Sequence, residues 1–101
     1  MDLPVAERVV KYKEEGNKLL NKDTEKAIMW YSRAIKAPHA VAEDRAVFFC
    51  NRAAAHLLLK NYRSALEDTE AAMALNPSPE LKLKALYRGS KGERRLLAID
   101  F

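Results

Sequence analysis

The sequence predicts an all-α domain of antiparallel helix pairs, and three observations predict it. Apolar residues recur three and four positions apart along most of the 101 residues, the spacing that lines one face of a helix. Three glycines and four prolines are too few to punctuate the turns of an all-β protein. One helical pattern also returns: Ala27-Ile28 with Tyr31 and Ala34 is echoed by Ala65-Leu66 with Thr69 and Ala72, an interval of 38 residues from Ala27 to Ala65.

Five helices follow from the pattern. Val5, Val9, Tyr12, Gly16, Leu19 and Leu20 stripe the first, which Asp2 or Leu3-Pro4 can start. The polar break Asn21-Lys22-Asp23-Thr24 separates it from the second, with Asp23 or Thr24 as its cap; Ala27, Ile28, Tyr31, Ala34 and Ile35 form the stripe and Pro38 the stop. A third helix is expected from about 41 to 60, with Val47, Phe48, Cys50, Ala54, Leu57 and Leu58 facing inward. Asn61 is the expected cap of a fourth, which Asn76-Pro77 ends. Ser78-Pro79-Glu80 has the cap, first-turn proline and early acid that open a fifth. Its expected stripe is Leu81, Leu83, Leu86 and Tyr87, weakened by Gly89 and Gly92, with Leu96–Ile99 as a short last turn. Short connections make successive helices antiparallel.

Several function classes find no support. Cys50 is alone, so neither an internal disulfide nor a Cys-x-x-Cys metal site can form, and its apolar run makes it a buried structural thiol. His39 and His56 lack metal-ligand spacing, His39 following Pro38 in a loop and His56 packing between helices; no phosphate loop or nucleophile elbow is present. The expectation is no catalysis, no metal and no cofactor. Charged residues interrupt the N-terminal stretch and no apolar run is long enough to span a bilayer, which points to a cytoplasmic or nuclear setting without a membrane. The net charge is +4. Lys82, Lys84, Arg88, Lys91, Arg94 and Arg95 crowd the C-terminal end against Glu80, Glu93 and Asp100, and such a surface attracts acidic partners. Neither aromatic interleaving nor a helix-turn-helix spacing accompanies these charges, so nucleic acid is not expected.

The repeat interval, the small residues Gly16, Ala27, Ala34, Ala53, Ala65 and Ala72, and Pro77 after the second unit together resemble the tetratricopeptide repeat family. The resemblance covers about residues 12–88. It implies a short right-handed superhelix in one domain, 1–101: a first repeat at about 5–37, a second at about 41–76, and a partial third repeat or capping helix at about 79–101. In such stacks the first helix of each pair lines the concave face. The stretches Lys13-Glu14-Glu15-Gly16-Asn17, Asn51-Arg52-Ala53-Ala54-Ala55 and Lys84-Ala85-Leu86-Tyr87-Arg88 are similar to the two-carboxylate clamp of co-chaperones such as the Hop-type adaptors, the CHIP ubiquitin ligase and the Tah type.

That resemblance implies a binding site formed by Lys13, Asn17, Asn51, Lys84 and Arg88. Its ligand would be the acidic C-terminal tail, Met-Glu-Glu-Val-Asp and its like, of ninety- or seventy-kilodalton heat-shock chaperones. Lys13, Asn17 and Asn51 would take the terminal carboxylate pair, helped by Lys84; Lys84 and Arg88 would meet the groups upstream. The residue types suit carboxylate binding, since lysine is a mobile point charge, arginine a planar fork, and asparagine donates to a carboxylate without adding charge. Leu20, Ala54 and Leu57 would contact the peptide's apolar side chain. The alternative is a general repeat scaffold that holds a partner's helix or strand and ignores free carboxylates. Either could form part of a larger co-chaperone assembly.

Overall fold

The computed structural model describes residues 4–38 and 41–99; the expectations for Asp2, Leu3, His39, Asp100 and Phe101 lie outside the described residues. It contains α1 (Val5–Leu19), α2 (Thr24–Lys36), α3 (Ala42–Leu58), α4 (Tyr62–Ala74) and α5 (Pro79–Ile99), with no strand among the described residues. Connections of three to five residues turn the chain back each time. Each helix packs on its chain neighbour, and α5 also packs on α3. The principal extents of 54 × 30 × 18 Å match a slab two helices thick. This is the all-α arrangement of antiparallel helix pairs that the periodicity predicts, and it is consistent with the tetratricopeptide-like fold that the resemblance implies.

Local chemistry accounts for the helix ends. Asp23 caps α2, its carboxylate accepting the Lys26 N–H at 3.2 Å. Ser78 Oγ accepts the Leu81 N–H at 3.4 Å at the start of α5. Asn61 occupies the cap position of α4 but makes no side-chain cap; its amide instead faces His56 Nδ1 at 3.4 Å. Lys60 and Asn76, with φ of 61° and 52°, provide the left-handed residues that close α3 and α4.

The core is assembled mainly from small side chains. Val9, Ala34, Ala37 and Phe48 join α1, α2 and the loop after α2 to α3. Ala46, Cys50, Ala72, Leu81 and Ala85 join α3, α4 and α5, with the Cys50 thiol fully buried. Alanine at these contacts lets helix axes approach closely. On α3 the inward face is Ala46, Phe48, Cys50, Ala53 and Ala55. Ala54 and Leu57 are only half-buried and Leu58 is exposed, so that end of the expected stripe does not belong to the core.

The fifth helix corrects the sequence reading. It runs unbroken through Gly89 and Gly92 for 21 residues, so Leu96–Ile99 continue it and are not a separate turn. Both glycines are buried against α4. A Cβ on Gly89 would come 2.9 Å from Thr69 Oγ1, and one on Gly92 would come 3.2 Å from the Tyr62 carbonyl oxygen. They mark close approach, a gain that offsets their poor helix propensity. The buried face is therefore Leu81, Ala85, Gly89 and Gly92, whereas Leu83, Leu86 and Tyr87 are exposed.

A polar network ties three helices. Arg52 donates from Nε and Nη2 to both carboxylate oxygens of Asp68, at 2.9 and 2.8 Å, and from Nη1 to Ser32 Oγ at 3.0 Å. Asp68 is buried. His56 Nε2 lies 3.7 Å from Asp68 Oδ2, an electrostatic contact longer than a hydrogen bond, and its Nδ1 faces the Asn61 amide at 3.4 Å. Burial holds the His56 pKa below the usual imidazole range; the Asp68 charge opposes this and the Arg52 charge adds to it.

A depressed folded-state pKa means the unfolded chain binds this proton more readily. Stability should therefore be unaffected by His56 above about pH 6.5, fall as the pH drops through that value, and level off below the folded pKa. Urea midpoints across a pH series should show this slope, and His56→Asn should flatten it.

Candidate functional site

Four of the eight residues singled out in the sequence share one cavity. Leu20 from the end of α1, Ala54 and Leu57 from α3, and Arg88 from α5 line a depression of about 310 Å³ together with Asn21, Leu58, Tyr87 and Lys91. Arg88 is placed there by the register of α5 on α3. Its Nη1 donates to the Cys50 carbonyl oxygen at 2.7 Å and sits 3.2 Å from Cys50 Sγ. This contact fixes Arg88 beside the stretch of α3 that carries Asn51. One edge of the guanidinium is committed to α3, leaving Nε and Nη2 for other acceptors.

Lys84 lies one turn before Arg88 and is exposed; the two share a second depression of about 600 Å³ with Glu80, Leu83 and Tyr87. Lys13 and Asn51 are half-buried and line neither depression. Among the described residues, the side chains of Lys13, Asn51 and Lys84 have no hydrogen-bond partner or ion pair.

Asn17 is held from behind. Tyr31 Oη donates to Asn17 Oδ1 at 2.7 Å. The Tyr31 ring is fully buried, and burial raises its phenol pKa, with the Arg88 charge opposing. The phenol therefore stays a neutral donor, and with Oδ1 occupied the Asn17 Nδ2–H₂ group is the part left to donate. Gly16 makes room for this ring, since a Cβ there would lie 2.7 Å from Tyr31 Cδ1.

Tyr31→Phe should keep the fold, with a stability loss of about 1 kcal/mol for the missing hydrogen bond. Gly16→Ala should cost more, about 1–3 kcal/mol, because the enclosed ring cannot move aside freely. Chemical denaturation of both variants checks this ordering.

Besides Asn21, Leu58 and Tyr87 of the cavity wall, sequence reasoning missed three participants. Tyr31 reads as a core aromatic, and nothing in its spacing reveals that its hydroxyl reaches a residue 14 positions earlier. Lys91 reads as part of a general basic end, although its place three residues after Arg88 puts it on the same side of the helix. The Cys50 carbonyl carries no side-chain signal at all.

Comparison with known proteins agrees with this architecture. Over 85 residues, 83% of the chain, it is 42% identical to tetratricopeptide repeat protein 4 of Homo sapiens. It is 46% identical over 67 residues, 65% of the chain, to small glutamine-rich tetratricopeptide repeat-containing protein 2 of Saccharomyces cerevisiae. The Hsp70/Hsp90 co-chaperone CNS1 of the same yeast is 36% identical over 84 residues, 79% of the chain. The chain spans only about a fifth of each of these relatives: 21%, 18% and 20% of their lengths. No protein-family model and no solved structure matches the chain. These likenesses support a tetratricopeptide repeat family.

Proposed function

We infer that the chain belongs with the tetratricopeptide repeat proteins and is a non-enzymatic adaptor that binds the acidic C-terminal tail of a heat-shock chaperone. The observation that carries this reading is the cavity in which Leu20, Ala54 and Leu57 meet Arg88. An apolar side chain and a carboxylate from one short peptide could occupy it together. The name of the yeast relative, a co-chaperone of Hsp70 and Hsp90, points to the same class of partner.

In this reading Asn17 and Asn51 donate to the terminal carboxylate pair while Lys13 and Lys84 neutralise it. Arg88, steadied by the Cys50 carbonyl, presents its unused N–H groups to the peptide upstream. Pre-set donors lose less freedom on binding than mobile ones do.

A second reading, a scaffold indifferent to carboxylates, draws on the exposed apolar face of α5, where Leu83 is 71% and Tyr87 65% exposed. Calorimetric titration of a Met-Glu-Glu-Val-Asp peptide into the wild type and into Lys13→Ala/Asn51→Ala separates the two. The clamp predicts loss of binding in the double variant. Undiminished affinity there would favour the scaffold and sink the clamp.

A further inference from the structure

The helical phase of α5 sorts the C-terminal basic residues into different directions. Lys84, Arg88, Lys91 and Arg95 stand at i, i+4, i+7 and i+11, which places all four along one face of the continuous helix. Lys82 and Arg94 fall outside that row. The row is on the groove side: Arg88 reaches the Cys50 carbonyl of α3, and Arg88 with Lys91 walls the cavity shared with Leu20, Ala54 and Leu57. Gly89 and Gly92 turn the adjoining face onto α4, so the packing of α5 holds the row in place.

Among the described residues, none of the four cations has a carboxylate within 4 Å, whereas Arg52 has its carboxylate at 2.8 Å. Glu80, one turn before Lys84 and lining the same depression, stands at one end of the row but pairs with none of its members, so four neighbouring like charges repel one another and favour an acidic occupant. Two members of the row, Lys91 and Arg95, lie beyond the five clamp residues.

We propose that this row is an extended docking surface for an acidic segment in extended conformation, lying upstream of the peptide's terminal carboxylate. This rests on the clamp reading for its direction, because the clamp fixes which end of the peptide lies beside Lys13 and Asn17. From Lys84 to Arg95 the helix rises about 16 Å. An extended peptide covers that length in about five residues. The partner is thus a tail in which an acidic stretch of this size precedes the terminal pair. An amphipathic helix fits less well, since the row is a line of charges and Leu83, Leu86 and Leu97 lie outside it.

Fluorescence anisotropy on the full chain at low salt tests this with three labelled peptides. One is Met-Glu-Glu-Val-Asp; the others carry either five acidic or five neutral polar residues before it. The acidic extension should bind about fivefold more tightly than the neutral one, from two exposed ion pairs. That ratio should fall towards one in Lys91→Gln/Arg95→Gln and persist in Arg63→Gln, a change at an exposed site on α4.

Equal affinity for the two extended peptides, or a ratio that survives Lys91→Gln/Arg95→Gln, overturns the proposal. So does a short single-stranded oligonucleotide that displaces the acidic peptide as well as its unlabelled form does. If the unextended peptide fails to bind but the ratio holds and depends on Lys91 and Arg95, the clamp reading falls and the acidic surface stands. If no peptide binds, both fall.

Discussion

Asp68→Ala should be the most destabilising single change in the molecule. The carboxylate is buried and accepts both parallel N–H groups of Arg52, which also reaches Ser32. Removing it leaves a half-buried guanidinium facing a small void, and breaking a buried pair from one side costs about 3–5 kcal/mol. The lower end is appropriate, because Arg52 retains 22% exposure and can find water. For a chain of this size about 3 kcal/mol corresponds to a melting temperature lower by roughly 12–24 °C. Calorimetric melting checks this. The double variant Arg52→Met/Asp68→Leu should recover most of the loss, because a well-packed apolar pair of similar volume needs no compensation. A loss below about 1 kcal/mol in Asp68→Ala would show that the pair behaves as a surface ion pair.

Arg88→Ala should have the largest effect on peptide binding among the single changes at the groove. It removes a charge-assisted donor, worth about 1.5–3 kcal/mol, or about 10- to 150-fold in affinity. It also opens the wall of the cavity formed with Leu20, Ala54 and Leu57. Arg88→Lys should not restore binding fully. A lysine keeps the charge but cannot donate to the Cys50 carbonyl and offer a second fork to the peptide at once. Titrations of both variants, at two salt concentrations, check the order wild type, Lys, Ala. Lysine equal to arginine would mean that only net charge matters.

The fold and its buried contacts are unequally visible in the sequence. The four helices from Val5 to Ala74 are legible because each carries a clear apolar period and a break that matches its end, as Asp23 shows for α2. The inner face of α5 is not. Period reading weights large apolar side chains, so Leu83, Leu86 and Tyr87 look like core. The helix instead buries Ala85 and two glycines, because close approach to α4 is worth more there than bulk. Asn61 has the right residue type for a cap, yet His56 competes for its side chain.

At the site, the i, i+4 pairs Lys13/Asn17 and Lys84/Arg88 are readable from spacing alone. What holds them is not. Asn17 is oriented by Tyr31 across 14 positions, and Arg88 by a main-chain carbonyl 38 positions away. Contacts of that kind depend on how helices pack, and no local pattern announces them. The Arg52–Asp68 pair is hidden for the same reason, although Arg52 stands inside one of the three clamp-like stretches.

The central claim is recognition of a free C-terminal carboxylate, and amidation removes that group while leaving every side chain of the peptide in place. Calorimetric titration of Met-Glu-Glu-Val-Asp and its C-terminally amidated twin into the chain, under identical salt, is the most direct test. A working clamp binds the free acid and loses at least tenfold in affinity on amidation, matching one charge-assisted contact. Equal affinity for the two peptides, or no binding of either, would contradict it.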